Sequence, residues 1–435
     1  MNSQFFLKKL SLIFGVFIWV TVFLFSGVVE SVEAATRSPA SVCNTTTLAV
    51  KQFFPDPKVD TEYFINQVQT LIGHAPEVKG LTVALANPNG DIIATLEKGY
   101  ARTACDADGE QYFTVDTIHQ WGSVSKLITT AAVLKALEAS LLSVDAPLRT
   151  LLPQRWHLLI NNTNEDRQKN VTLGQLLSHR AGFFDEGCGS YHVGERMALG
   201  DYLPCKGTSV PPAVGTRSYS NGLGVAGDFA LTPIVAPNYA DDLEKELAGA
   251  SKSEYDATSR YSRAILYRNY VRNTLFAPLS IDGACNLSEY FGGNNNYALP
   301  YTSASDPSGG SVGNYDQGGC AAGGWALSTR DMLKFLGKLR NANTLLARKS
   351  YALMEKTSSD RLGWGYNSAW QVYDHGGKIS SHNYSYVVAL KNGYVAAMAQ
   401  NSRRTSGADR TEAIVESFNK AYGKKMVPII EAILD

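Results

Sequence analysis

The 435-residue chain has no excess of either charge, with 40 lysines and arginines against 40 aspartates and glutamates. A nucleic-acid binder would carry a basic patch or stripe, so this balance argues against that class. It has no Cys-x-x-Cys pair, which leaves its six cysteines without a zinc-binding pattern. No window is low in complexity, and no repeat of solenoid type recurs. Past residue 35 there is no apolar run of the ~20 residues needed to cross a bilayer. With 44% hydrophobic residues, the chain can build one large or two moderate cores.

Its one long apolar run lies at the start. Lys8 and Lys9 precede Leu10 to Val29, and Val32-Glu33-Ala34-Ala35 offers small residues where a leader would be cut. Residues 1–35 therefore read as a signal peptide. An uncleaved membrane anchor is the alternative, because the run is long enough to span. Cys43 follows Ser41 and Val42 well beyond the run and lacks a lipid-attachment context. Either way the remainder is expected outside the cytoplasm, periplasmic or extracellular. An even cysteine count there favours disulfides. Of the 15 pairings open to six cysteines, proximity in sequence favours Cys188–Cys205 and Cys285–Cys320, which leaves Cys43–Cys105.

Val59 to Gly73 reads as an amphipathic helix. Leu81 to Ala86 and Ile92 to Leu96 read as a hairpin about Asn89-Gly90, as do Tyr384 to Leu390 and Tyr394 to Gln400 about Asn392-Gly393. A helix is expected from Ser328 to Leu339 and another from Asp409 to Ala421. The stretch from Leu142 to Pro307 changes character, to short helices and loops rich in Gly, Asn and Ser. These patterns predict an α+β fold, in which both ends of the chain share one antiparallel sheet flanked by helices. The expected divisions are 36–141 with 320–435 as the sheet domain and 142–319 as an inserted, mostly helical domain.

Ser123-Val-Ser-Lys126 joins a candidate nucleophile to a candidate base. Residues three apart share a helical face, and Leu127 to Leu142, rich in Ala and Leu without Pro or Gly, predicts the helix. Ser123 then falls at the first turn, where backbone N–H groups lack partners and can face a developing negative charge. A serine hydroxyl needs a neighbour to take its proton, and a lysine does so only when kept neutral by its surroundings. Ser-x-x-Lys is common by chance, and Ser417-Phe-Asn-Lys420 is a second copy, read as a solvated helix face.

Two further elements follow in order. Tyr219-Ser220-Asn221 offers a phenol able to shuttle a proton and an amide able to hold a substrate carbonyl. Its rival, Tyr267-Arg-Asn269, lies in a charged stretch expected at the surface. His375-Gly376-Gly377-Lys378 precedes the last hairpin. Its glycines suggest close approach of a substrate backbone, and the Lys378 N–H with that of Ser123 suggests an oxyanion hole. His192-Val-Gly194 is the decoy for this element.

Ser-x-x-Lys, Tyr-x-Asn and His-x-Gly in this order resemble the serine β-lactamase and penicillin-binding-protein superfamily. The likeness runs from about Leu81 to Asn401. It is strongest to the branch of class C β-lactamases, D-alanyl-D-alanine carboxypeptidases, D-aminopeptidases and family VIII esterases. Leu176-Leu-Ser-His-Arg-Ala-Gly182, Phe276-Ala-Pro-Leu279 and Ala322-Gly-Gly-Trp-Ala-Leu-Ser-Thr-Arg-Asp331 also look like it. The resemblance implies acylation of Ser123, proton transfer by Lys126 and Tyr219, and substrate orientation by Asn221, without metal or cofactor. His375 stands where class C β-lactamases have a lysine. It is expected to bind substrate carboxylates, with activity falling as pH rises through the histidine range.

The reading that results is an exported serine hydrolase acting through an acyl-enzyme on peptides or esters. D-amino-acid peptides or cell-wall fragments are the expected substrates. The alternatives are a β-lactamase, a carboxylesterase, and a catalytically weak binding or sensing protein of the same fold. The expected partner is a small molecule or peptide, and the segments around Cys188 to Cys205 and Pro233 to Ser259 are expected to shape its cleft.

Overall fold

The computed structural model describes residues 30–31, 49–73, 78–153, 155, 171–182, 213–285, 287–290, 296–304, 309–310, 319–341, 343–379, 383–402 and 410–423. Residues 1–35, expected to be a leader, lie outside them except for Glu30–Ser31, as do Cys43, Cys188, Cys205 and the decoy His192. Among the described residues no helix is long and apolar enough to cross a membrane.

The two Asn-Gly signals do what their backbone chemistry requires. Asn87 Oδ1 accepts the N–H groups of Asn89 and Asp91 at 2.8 and 3.1 Å, and Gly90 takes φ +86°. That turn joins β3 (Gly80–Ala86) to β4 (Ile92–Arg102). Asn392 and Gly393, both left-handed, likewise join β9 (Asn383–Ala389) to β10 (Val395–Gln400). With β1 (Glu30–Ser31), β2 (Ala49–Phe53) and β8 (Tyr373–Ile379), they form the antiparallel sheet β1-β2-β4-β3-β10-β9-β8. A short β5 (Gln111–Tyr112) pairs with β4, and β6 (Ile118–Gln120) pairs with β7 (Ala326–Ser328). The sheet thus draws its strands from both ends of the chain, as expected.

Side chains alternate between two cores because successive strand residues face opposite ways. Val83, Leu85, Val388 and Met398 pack under α1 (Thr61–Val68, continued by a π-turn) and α8 (Arg410–Ala421), against Phe64, Ile65 and Phe418. Ala84, Val387 and Ala397 face the opposite layer, against Leu127 of α2 (Ser125–Glu138) and Leu333 of α7 (Thr329–Arg340). Truncating one such residue, Phe418→Ala for example, costs about 3–5 kcal/mol.

Between these ends lie α3 (Leu173–Leu177), α4 (Gly222–Val235), α5 (Pro237–Glu246) and α6 (Lys252–Val271). The expectation of only short helices is corrected by α6, whose 20 residues are capped where Ser251 Oγ accepts the Glu254 N–H. Tyr255, Ser259, Arg263, Tyr267 and Val271, spaced by four, form its buried face. Tyr267 is therefore core and not surface, its hydroxyl bonded to Thr129 Oγ1 and Trp325 Nε1 at 2.7 and 3.0 Å. The second Ser-x-x-Lys is split. Ser417 is buried and donates to the Ala413 carbonyl, while only Lys420 is solvated, paired with Glu416.

Cys285 and Cys320 form a disulfide, and Cys105 is disulfide-bonded as well.

Candidate active site

Trp121 fixes the turn that carries Ser123. Its N–H donates to the Trp325 carbonyl (2.9 Å), its indole N–H to Leu327 (3.1 Å), and its carbonyl accepts the Ser385 hydroxyl (2.6 Å). Gly122 follows with φ +53°, and a Cβ there would stand 2.6 Å from the Lys378 nitrogen. Only glycine meets both demands. A 3₁₀ turn, Gly122–Val124, then leads into α2, so Ser123 sits at the helix start as the spacing predicted.

Lys126 is fully buried one turn on. Its ammonium nitrogen lies 3.0 Å from Ser123 Oγ, 2.9 Å from Asn221 Oδ1 and 2.7 Å from the Ala322 carbonyl. Asn221 Oδ1 and the carbonyl can only accept, so they fix two of its N–H bonds. The remaining direction points at Ser123.

Tyr219 donates its hydroxyl to Ser123 Oγ at 2.6 Å while its ring stays half exposed. Its loop enters α4, where a Cβ on Gly224 would collide with Ala322. Arg217 anchors the same loop, giving its guanidinium to the carbonyls of Ser178, Arg361 and Trp364.

His375 and Lys378 lie on β8, the sheet's last strand, in unbroken register with β9. The Asp374 N–H and C=O bond outward to Gly365, so by alternation Gly376 and Lys378 also direct theirs away from β9. The Lys378 N–H therefore faces the Ser123 turn, while its side chain lies over the Tyr384 ring on the exposed side. Gly377 serves packing and not substrate approach, because a Cβ there would strike the Trp121 carbonyl and Ser385 Oγ.

His375 is buried, its ring centroid 6.5 Å from that of Tyr219, and Nδ1 lies 2.8 Å from the Gly376 carbonyl. Burial, then the charge of Lys126, pushes it down to about 4. It is therefore neutral near pH 7, which opposes the expected fall in activity as pH rises through the ordinary histidine range.

His179, within the stretch Leu176–Gly182, is a site residue with no role expected from the sequence. Its ring packs against Tyr219, centroids 4.7 Å apart and tilted by 33°, its Nδ1 accepts the Ser220 N–H at 3.2 Å, and its carbonyl accepts the Ser218 N–H at 2.8 Å. Burial, aided by Lys126, Arg217 and His375, holds it well below the usual histidine range. The Ser178-His179-Arg180 string was visible, but not the φ of +58° and the 40-residue span that bring it under Tyr219.

Ser123, Lys126, Tyr219, Asn221, His375 and the Lys378 N–H thus converge. Of the segment expected to shape the cleft, Pro233 and several residues of α5 line a separate cavity of about 550 Å³ with Leu151 and Arg263, which none of those six borders. Among the described residues no cluster of His, Cys, Asp or Glu could hold a metal.

A family model described as Beta-lactamase matches residues 68–225 and 261–417. No curated protein matches the chain. Solved structures share its fold. D-amino acid amidase from Ochrobactrum anthropi SV3 complexed with D-phenylalanine is 20% identical, with a TM-score of 0.57 over 82% of this chain and 99% of that one. Class C beta lactamase from Rhodobacter sphaeroides is 17% identical, with a TM-score of 0.55 over 86% and 100%. The octameric penicillin-binding protein homologue from Pyrococcus abyssi is 17% identical, with a TM-score of 0.55 over 85% and 79%.

Proposed function

The chain belongs to the beta-lactamase family of serine hydrolases, and from that premise we propose that it cleaves amide or ester bonds of D-amino-acid substrates through an acyl-enzyme on Ser123. One observation carries the reading: Ser123 Oγ meets Tyr219 Oη at 2.6 Å and Lys126 Nζ at 3.0 Å.

In the first step Oγ attacks the substrate carbonyl and its proton passes into the Lys126–Tyr219 pair bonded to it. A carbon–oxygen bond forms, and the carbonyl electron pair moves onto oxygen. The N–H groups of Ser123 and Lys378 hold that oxyanion. The tetrahedral species collapses as the bond to the leaving nitrogen or oxygen breaks. Tyr219 gives its proton to the leaving atom and is reprotonated from Lys126. Water then attacks the acyl ester by the same route and frees Ser123. Asn221 holds Lys126 in line and orients the substrate.

Export belongs to the same reading. It is supported by the composition of residues 1–35 and by the Cys285–Cys320 disulfide.

The test compares purified enzyme with Ser123→Ala on a neutral ester, a D-amino-acid amide, a D-peptide and a cephalosporin. Turnover of an ester or D-amide by the enzyme, abolished in the folded variant, is the expected result. Undiminished turnover by Ser123→Ala would overturn it.

A further inference from the structure

We infer, resting on Ser123 as the nucleophile, that this site selects substrates presenting an N–H donor, amide or ammonium, beside the scissile bond and disfavours a carboxylate there. His375 sets this preference. The Gly376 carbonyl 2.8 Å from Nδ1 can only accept, so in the neutral ring Nδ1 carries the proton. The lone pair is then on Nε2, which makes no hydrogen bond to any described residue. The ring shares a strand face with Gly377, which backs onto Trp121, so it stands beside the Ser123 turn. Its Nε2 is an acceptor awaiting a donor.

The positive charges around it are committed elsewhere. Lys126 faces Ser123, Asn221 and Ala322. The Arg217 guanidinium is bound by backbone carbonyls, and the Lys378 side chain lies over Tyr384. His179, the other titratable ring against Tyr219, is neutral, with Nδ1 accepting from Ser220. A carboxylate at His375 would face a lone pair. Protonating the ring to receive it works against both burial and the Lys126 charge. An amide N–H or ammonium needs no such change.

The test uses two probes that differ in one group, D-alanyl-D-alaninamide and D-alanyl-D-alanine. It measures kcat/KM for each and the protection each gives Ser123 against a fluorophosphonate, at about pH 7.5. The carboxamide should exceed the carboxylate about ten-fold or more, as one hydrogen bond gained and one charge left uncompensated imply. His375→Lys should invert that ratio. His375→Gln, whose amide both donates and accepts, should bring it near unity and serves if the lysine variant does not fold. A carboxylate preference in the unaltered enzyme, or protection by neither probe, would overturn the inference while labelled Ser123 keeps the acyl-enzyme reading intact. Failure of Ser123 to react would remove both.

Discussion

His119 offers a quantitative test of the folded state, because it is buried outside the reacting cluster. Its ring centroid lies 5.8 Å from Phe113 and 5.9 Å from Trp121, and burial pushes its pKa down to about 3. The unfolded chain holds a proton on this histidine below about pH 6.5, whereas the folded chain does not until about pH 3. Unfolding therefore takes up a proton between those limits. The neutral ring's contribution is fully present above about pH 6.5 and is lost as pH falls toward 3, by ~1.4 kcal/mol per unit. His179 and His375 act in the same direction, while the buried carboxyls of Glu97 and Asp331, pushed up by burial, act against them. His119→Phe isolates one proton from this background, since a phenyl ring fills similar volume and cannot titrate. At about pH 7.5 the variant should lie within about 1.5 kcal/mol of the native protein. At about pH 4.5, two units into the window, it should have gained about 3 kcal/mol relative to it. Urea unfolding followed by tryptophan fluorescence at both pH values gives the numbers. A stability difference that does not change with pH would refute the buried neutral state of His119.

Two further outcomes follow from the site. Tyr219→Phe removes the hydroxyl bonded to Ser123 and should lower kcat a hundred-fold or more with little change in KM, read by steady-state kinetics on an amide substrate. Cys285→Ser with Cys320→Ser opens a loop of sequence separation 35, which should cost about 4 kcal/mol in denaturant unfolding. Thiol counting of the denatured, unreduced native protein should find neither of these cysteines free.

The sheet was legible because its signals are local. Asn-Gly turns set both hairpins, and period-two alternation set their faces, as Val83 and Ala84 illustrate. The Ser123–Lys126 pair was legible for the same reason, since one helical turn fixes its geometry. The rest depends on distant partners. Charged neighbours disguised Tyr267, whose burial is decided by α2 and Trp325. The glycine at 377 suggested room for a substrate, but the space is taken by Trp121 and Ser385. His375 looked able to carry charge until burial and Lys126 were placed around it. His179 gave no local sign of its place under Tyr219.

The acyl-enzyme claim is tested most directly by mass spectrometry of the protein after reaction with a fluorophosphonate. One adduct is expected, mapped to Ser123 and missing from Ser123→Ala. An adduct on Ser125 or Ser220 instead, or persistent labelling of the variant, would contradict the account.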